Sequence, residues 1–213
     1  MEQFHLRNKK ILITGASSGI GRQCAVTCSK AGADIILAGR NRLRLEETYD
    51  MLLKGNHQIV SCDLTDFVES ERIIDATIQN SGKLSGLVHA AGIEITIPLR
   101  AMRFQKLFDL LKINTISALE LSRIISKNIY CPDNGSSIVF ISSIMDTVGQ
   151  PGKSAYCASK AALLGAVRAL ALELAYKKIR VNAISPAIVR TPLSEHLLSS
   201  LTNFCCKSTC ISP

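Results

Sequence analysis

The chain has 213 residues, and 47% of them are hydrophobic, which suits one domain with a sizeable apolar core. No apolar run approaches the roughly 20 residues that a membrane-spanning helix needs. The mixed, charged residues 1–10 lack the apolar stretch of a secretory signal. These features argue against a membrane or secreted protein, so we expect a cytoplasmic protein with no membrane partner.

The formal net charge is +8, and its distribution is uneven. The first 44 residues hold eight Lys and Arg residues but only two acidic ones. A basic cluster can bind nucleic acid, but aromatic residues make up only 5% of the chain and do not alternate with these bases. A solvated basic surface or a site for a phosphorylated cofactor accounts for the charge better, so no nucleic-acid partner is predicted.

The eight cysteines are scattered, and no two form a C-x-x-C pair. Cys24 and Cys28 lie four residues apart in a predicted helix, but no second ligand pair accompanies them, so no metal site is predicted. Free cysteines pack as small hydrophobic residues, and so many of them suit a reducing compartment.

Apolar strand-like runs alternate with helical stretches along the chain. The pattern predicts strands over residues 10–14, 33–38, 58–62, 86–90, 137–141 and 180–184, with helices over 19–31, 42–53, 66–80, 104–127 and 154–176. Such apolar strands, separated by helices, indicate a doubly wound α/β fold with a parallel sheet covered on both faces. No repeat or linker interrupts the pattern, so we predict one domain over residues 1–201 and an irregular tail over 202–213.

A glycine-rich segment, Thr14–Gly21, connects the first predicted strand to the first predicted helix. Glycines at 15, 19 and 21 let the backbone turn tightly and approach a pyrophosphate, and the helix N-terminus offers free N–H groups. An ordinary glycine turn is the alternative, but the position between strand and helix is where dinucleotide-binding folds bind phosphate.

The end of the second predicted strand bears on the choice of nucleotide. Folds that select NAD place a carboxylate there, on the ribose 2′-hydroxyl, whereas this chain has Gly39 followed by Arg40. A guanidinium can pair with a 2′-phosphate, so NADP(H) is favoured over NAD(H). The alternative is that Arg40 is a solvated loop residue.

Tyr156 and Lys160 lie four residues apart in a predicted helix, which puts both side chains on one face. A neighbouring ammonium group favours the phenolate, so the pKa of Tyr156 is expected below its usual value of about 10. A tyrosine in that state can act as a general acid or base. By itself such a pair is common on protein surfaces.

These motifs occur together with a serine, Ser143, at the end of the fifth predicted strand. The combination of T-G-x-x-x-G-x-G, this serine and Y-x-x-x-K resembles the short-chain dehydrogenase/reductase family, over about residues 8–195. Within that family the chain looks most similar to members of the 3-oxoacyl-carrier-protein reductase type. The resemblance implies a Rossmann-like fold and hydride transfer between a nicotinamide cofactor and a carbonyl or alcohol substrate.

The resemblance also implies roles for individual residues. Tyr156 would exchange a proton with the substrate oxygen, and Lys160 would lower the tyrosine pKa and bind the nicotinamide ribose. Ser143 would donate a hydrogen bond to the developing oxyanion. Asn114 would hold a water that links Lys160 to solvent. The cofactor-binding residues implied are Gly15, Ser17, Ser18, Gly19, Ile20, Gly21, Arg40, Asp63, Leu64, Ala90, Ala91, Gly92, Tyr156, Lys160, Pro186, Val189 and Thr191.

Two departures from the family pattern affect the interpretation. The family has Asn-Asn-Ala-Gly after the fourth strand, where this chain has His89-Ala-Ala-Gly92, so this part of the sheet is expected to be held differently. The chain keeps only about residues 191–201 of the family's substrate-covering segment, and the rest of that segment, the following helix and the seventh strand are expected to be missing. A dinucleotide-binding protein with little turnover is therefore the alternative function. The resemblance further implies a homodimer or homotetramer, paired through the helices around 104–127 and 154–176.

Overall fold

The computed structural model describes residues 5–195 of the chain. Six parallel strands form one sheet in the order β3-β2-β1-β4-β5-β6. The strands are β1 (Lys10–Thr14), β2 (Asp34–Gly39), β3 (Gln58–Ser61), β4 (Gly86–His89), β5 (Ser136–Ile141) and β6 (Ile179–Ile184). The helices are α1 (Gly19–Lys30), α2 (Arg42–Asp50), α3 (Phe67–Ser81), α4 (Phe104–Leu111), α5 (Ser117–Ile125) and α6 (Ser154–Glu173). The predicted doubly wound, Rossmann-like fold is confirmed.

Two apolar layers cover the two faces of the sheet. Because side chains alternate along a strand, Leu12 of β1 points into one layer and Ile11 and Ile13 point into the other. The larger layer includes residues of α3, α5 and α6, and the smaller one includes residues of α1 and α2. Each fully buried Leu or Ile stabilises the fold by about 1.5–3 kcal/mol, which is why the central strands are apolar on both faces.

The structure differs from the predicted helices in three places. The helix predicted over 104–127 is divided by a π-helical segment, Lys112–Ile116, between α4 and α5. Helix α2 ends at Asp50 because the following segment is held by Ser29 Oγ, which accepts from the Leu53 N–H at 2.9 Å. Helix α6 ends at Glu173, where a short 3-10 turn and a left-handed Lys178 (φ 57°) lead into β6.

The expectations about a missing seventh strand, a missing substrate-covering segment and an irregular tail fall on the C-terminal residues. Residues 196–213 lie outside the described part of the chain, as do residues 1–4. The sheet is therefore described only as far as β6.

Of the helices described, α6 is long and apolar enough to cross a membrane by length and composition alone, with a mean hydropathy of 1.3 over its most apolar window. Core and interface helices pass the same test. One face of α6 is buried: Leu163 packs in the core on the sheet, and Tyr156 and Lys160 lie at the carboxyl ends of the strands. Its other face is exposed and consists mainly of small side chains at residues 158, 161, 162, 165 and 169.

The strand order fixes where a ligand can bind. It reverses between β1 and β4, which are neighbours in the sheet although they are far apart in sequence. In open α/β sheets the crevice at the carboxyl ends of the strands, beside such a reversal, is the usual ligand site. Thr14, which ends β1, and His89, which ends β4, are paired across this point.

Candidate active site

A cavity of about 430 Å³ opens at the carboxyl ends of the strands. It is lined by almost all of the residues that the sequence predicted for the site. These are Gly15, Ser17, Ser18, Gly19, Ile20, Gly21, Arg40, Leu64, Ala90, Ala91, Gly92, Ser143, Tyr156, Lys160, Pro186, Val189 and Thr191. Asp63 and Asn114 are not in contact with the cavity, and their positions are described below.

The glycine-rich segment forms one end of the cavity and packs so closely on neighbouring backbone that side chains are excluded. Gly15 has φ +64°, and a Cβ there would lie 2.8 Å from the Ala90 carbonyl. A Cβ on Gly21 would lie 2.3 Å from the carbonyl oxygen of Gly15. The first turn of α1 has no acidic residue, and the Ser18 side chain makes no cap hydrogen bond. The free N–H groups and the positive end of the helix dipole are therefore open to an anion, which fits a pyrophosphate.

Arg40 lies at the cavity wall, just beyond the end of β2, and its side chain is exposed. No ion pair of Arg40 is found among the described residues, although Asp63 lies close enough to respond to its charge. Burial alone would raise the pKa of Asp63, but hydrogen bonds from Thr65 and the charges of Arg40 and Lys112 lower it. Asp63 is exposed and lies between the cavity-lining residues Cys62 and Leu64.

Tyr156 and Lys160 face the cavity from the same side of α6, as their spacing predicted. The Lys160 Nζ lies 5.8 Å from the centroid of the Tyr156 ring. The pKa of Tyr156 is raised, chiefly by burial, while a hydrogen bond with Ser143 acts in the opposite direction. The expected lowering of the tyrosine pKa is therefore not met in this structure, because burial outweighs the other influences. At neutral pH Tyr156 is a neutral phenol with a proton to give.

Lys160 is a buried ammonium group with few partners. Its side chain is only 6% exposed, and Nζ donates to the Ile141 carbonyl at 2.8 Å. Burial lowers the pKa of Lys160 to about 8, and the negative charge of Asp146 opposes that shift. Lys160 therefore changes its protonation state close to neutral pH, which makes it a candidate functional residue.

Asn114 is fully buried behind Gly92, at the centre of the π-helical segment. Its Oδ1 accepts from the Ile93 N–H at 2.8 Å, and its Nδ2 donates to the Ile93 carbonyl at 2.9 Å and to Ser159 Oγ at 3.0 Å. A Cβ on Gly92 would lie 3.1 Å from Asn114 Oδ1 and 3.6 Å from Lys160 Nζ. Asn114 therefore braces the cavity loop directly opposite Lys160, and the π-helical widening gives it this position.

His89 takes part in a hydrogen-bond network under the cavity floor. Thr14 Oγ1 accepts from the N–H groups of Ala90 and Ala91, at 3.2 and 3.1 Å, so its own proton is available for His89 Nδ1 at 3.0 Å. His89 Nε2 lies 3.4 Å from Ser117 Oγ. The sequence predicted that this region would be held differently from the family pattern, and here the threonine and the histidine hold it together.

Three charged residues near Tyr156 were missed by the sequence analysis. Glu94 and Lys153 line the cavity as a buried ion pair, with Lys153 Nζ donating to the Glu94 carboxylate. Asp146 lies in the short turn after β5 and acts on Lys160. None of them belongs to a recognised motif. The one available signal was that Lys153 and Lys160 lie on either side of the predicted catalytic tyrosine within eight residues.

The fold and the site together define a dinucleotide-binding α/β oxidoreductase with a Ser-Tyr-Lys constellation. The family model for short chain dehydrogenases matches residues 9–201. The chain belongs to this family, and it is similar to 3-oxoacyl-acyl-carrier-protein reductases in particular.

Individual relatives agree with this assignment. A 3-oxoacyl-acyl-carrier-protein reductase from Rickettsia conorii is 35% identical over 196 residues, covering 90% of this chain and 77% of the relative. A glucose 1-dehydrogenase from Gluconobacter oxydans is 32% identical, covering 87% and 71%. The crystal structure of a short-chain type dehydrogenase/reductase from Mycobacterium marinum matches with a TM-score of 0.87 at 27% identity, covering 95% and 82%.

Proposed function

We propose that this protein transfers hydride between NADP(H) and a carbonyl or alcohol substrate. The observation that carries the proposal is the convergence of Ser143, Tyr156 and Lys160 on one cavity that also contains a glycine-lined anion cradle. When bound, the nicotinamide cofactor supplies or accepts the hydride. The cytoplasmic, reducing location suggested by the unpaired cysteines is part of the same proposal.

Each residue has a separate task in this mechanism. The N–H groups at the start of α1 and the Thr14–Gly21 turn would hold the pyrophosphate, and Lys160, which lines the same cavity, would bind the ribose on the nicotinamide side. Tyr156 gives its proton to the carbonyl oxygen in reduction and takes it back in oxidation. Ser143 hydrogen-bonds with Tyr156 and orients the same oxygen.

The preference for the phosphorylated nucleotide depends on Arg40. Gly39 leaves no carboxylate at the ribose position, and the Arg40 guanidinium is free to pair with a 2′-phosphate. We expect NADPH to bind more tightly than NADH in a fluorescence titration, and Arg40→Ala to remove most of the difference. Arg42→Ala is the matched control, because Arg42 is paired with Glu46 and does not line the cavity. Equal affinities of the unaltered chain for both nucleotides would contradict the assignment.

Turnover distinguishes this function from the alternative of dinucleotide binding without catalysis. The experiment is to follow NADPH oxidation with a panel of ketones and 3-oxoacyl thioesters, together with NADP⁺ reduction by sugars and alcohols. NADPH oxidation that occurs with only one class of substrate supports the reductase function and identifies its substrate class. NADPH binding without consumption of any substrate supports the alternative.

We further propose that the protein is a homo-oligomer that pairs through α6 and the neighbouring α4. The exposed face of α6 has small side chains, which let helices approach closely, and exposed Phe104 and Phe108 stack on α4 with ring centroids 6.0 Å apart. Most soluble homo-oligomers form closed, symmetric assemblies, so a two-fold pairing of these faces is expected. Light scattering is expected to give at least a dimer at micromolar concentration, and Ala162→Glu is expected to shift it to monomer. A monomer from the unaltered chain would contradict this.

A further inference from the structure

Asp146 is a carboxylate near the catalytic residues that accepts several hydrogen bonds. It ends the short turn Ile144–Asp146 that follows β5. Its carboxylate accepts from Ser142 Oγ at 2.7 Å, from Thr147 Oγ1 at 2.8 Å and from Ser185 Oγ. The backbone N–H of Ser143 donates to it as well. Four donors around one partly buried carboxylate fix its position and favour its charged form.

These hydrogen bonds join the two strand ends that border the cavity. The backbone already connects them, because the Ser142 N–H donates to Ile184 O at 2.8 Å and the Ile144 N–H donates to Pro186 O at 2.9 Å. The Asp146 side chain adds a link from the β5 end to Ser185, next to Pro186. Any movement of the Asp146 carboxylate would therefore shift both Ser143 and the segment at Ser185 and Pro186, which borders the cavity.

Asp146 is also linked to Lys160 by geometry and by charge. Ser142 Oγ, which donates to the Asp146 carboxylate at 2.7 Å, lies 3.2 Å from the Lys160 carbonyl oxygen. The titratable groups that face Lys160 are Tyr156 on the same helix, His89 from β4 and Asp146 from the turn after β5. On the π-helical segment, the neutral amide of Asn114 lies on the same side of Gly92 as Lys160 Nζ, because a Cβ on Gly92 would lie 3.1 Å from Asn114 Oδ1 and 3.6 Å from Lys160 Nζ. Within residues 5–195, Asp146 is the carboxylate whose charge acts on Lys160, and it opposes the lowering of the Lys160 pKa by burial. Although burial alone would raise the pKa of Asp146 itself, its hydrogen bonds with Ser185, Ser142 and Thr147 lower it, so the charge is present at neutral pH.

We propose that Asp146 is a positioning residue of this active site, which holds Ser143 in place and supplies the negative counter-charge for the buried ammonium group of Lys160. This inference rests on the proposed function, because it assigns a residue that supports the catalytic residues of the same site. The mechanism needs Lys160 as an ammonium group, and a buried lysine without a counter-charge gives up its proton easily. Asp146 supplies that counter-charge without occupying the cavity.

The test compares Asp146→Asn, which keeps the shape and removes the charge, with two controls. Asp133→Asn removes an exposed carboxylate that pairs with Lys83, and Thr147→Ala removes one hydrogen bond to Asp146 but keeps its charge. The first readout is the titration of Lys160 by NMR of ¹³C-labelled lysines, with the signal assigned by its loss in Lys160→Met. The second is the pH dependence of kcat/KM for reduction.

In Asp146→Asn we expect the Lys160 pKa to fall by about one pH unit. The alkaline limb of kcat/KM is expected to move down by the same amount, while both controls stay at the wild-type values. If Asp146→Asn does not fold, Asp146→Ser provides the same test with a smaller neutral side chain. An unchanged Lys160 pKa in the neutral variant overturns the proposal, even if the melting temperature falls. The NMR readout needs no turnover. If the chain reduces no substrate, the proposed function is refuted, and the titration of Lys160 in Asp146→Asn still decides the role of Asp146.

Discussion

Replacing Tyr156 with Phe is expected to lower the rate of carbonyl reduction by about a thousandfold, because a positioned proton donor contributes roughly 10²–10⁴-fold to such a reaction. The ring remains, so the cavity shape and the affinity for NADPH should change little. The raised pKa of Tyr156 means that the proton is in place at neutral pH, whereas oxidation of an alcohol needs the phenolate and is expected to be favoured as pH rises.

The control for this variant is Tyr176→Phe, which makes the same chemical change at a tyrosine that is 77% exposed and outside the cavity. The measurements are kcat and KM for a ketone and the Kd for NADPH, each from both variants. Near-normal turnover by Tyr156→Phe would show that another group provides the proton.

The second large effect is a loss of folding stability at acidic pH, which we expect to come from His89. This side chain is 1% exposed, and burial, reinforced by the charge of Lys160, lowers its pKa to about 3, whereas the ordinary value is 6.5. Between these two values the unfolded chain binds a proton that the folded chain does not, so the free energy of unfolding falls as pH falls. From pH 6.5 to about pH 4 the loss from this one group is about 3 kcal/mol, a large part of the ~5–15 kcal/mol of a typical domain.

Chemical denaturation at several pH values measures this loss. His89→Asn removes the titrating ring and introduces the family's own residue at this position, so its unfolding free energy should depend much less on pH between about 4 and 6.5. His5→Asn is the matched control, because His5 is exposed. If His89→Asn loses as much stability on acidification as the unaltered chain, the buried histidine is not the source of the acid sensitivity.

The sequence predicted the sheet well because central strands of a doubly wound fold are apolar on both faces. β1 and β2 are nearly unbroken runs of apolar residues, and their limits are close to those predicted. The glycine-rich segment was predictable as the turn between β1 and α1, and it lines the cavity as expected. Arg40 also lines the cavity where the sequence predicted it, and its role in selecting the nucleotide stays a prediction.

The features that were missed depend on contacts between distant segments. The π-helical segment is invisible in the pattern, because apolar residues continue with a helical period on both sides of Lys112–Ile116. The pKa of Tyr156 could not be inferred from its spacing to Lys160, which fixes a shared helix face but not the depth of burial. The Glu94–Lys153 pair and the Asp146 cluster join residues up to 59 positions apart, and no motif connects them.

In the proposed mechanism, hydride moves directly between a nicotinamide cofactor and a carbonyl carbon, and Tyr156 provides the proton. The most direct measurement uses NADPH that carries deuterium at the transferring position of the nicotinamide, and follows the alcohol product by mass spectrometry. We expect one deuterium in the product, bound to the former carbonyl carbon, and almost no product from Tyr156→Phe under the same conditions. A chain that binds NADPH but forms no labelled alcohol from any ketone, thioester or sugar in the panel would contradict the account.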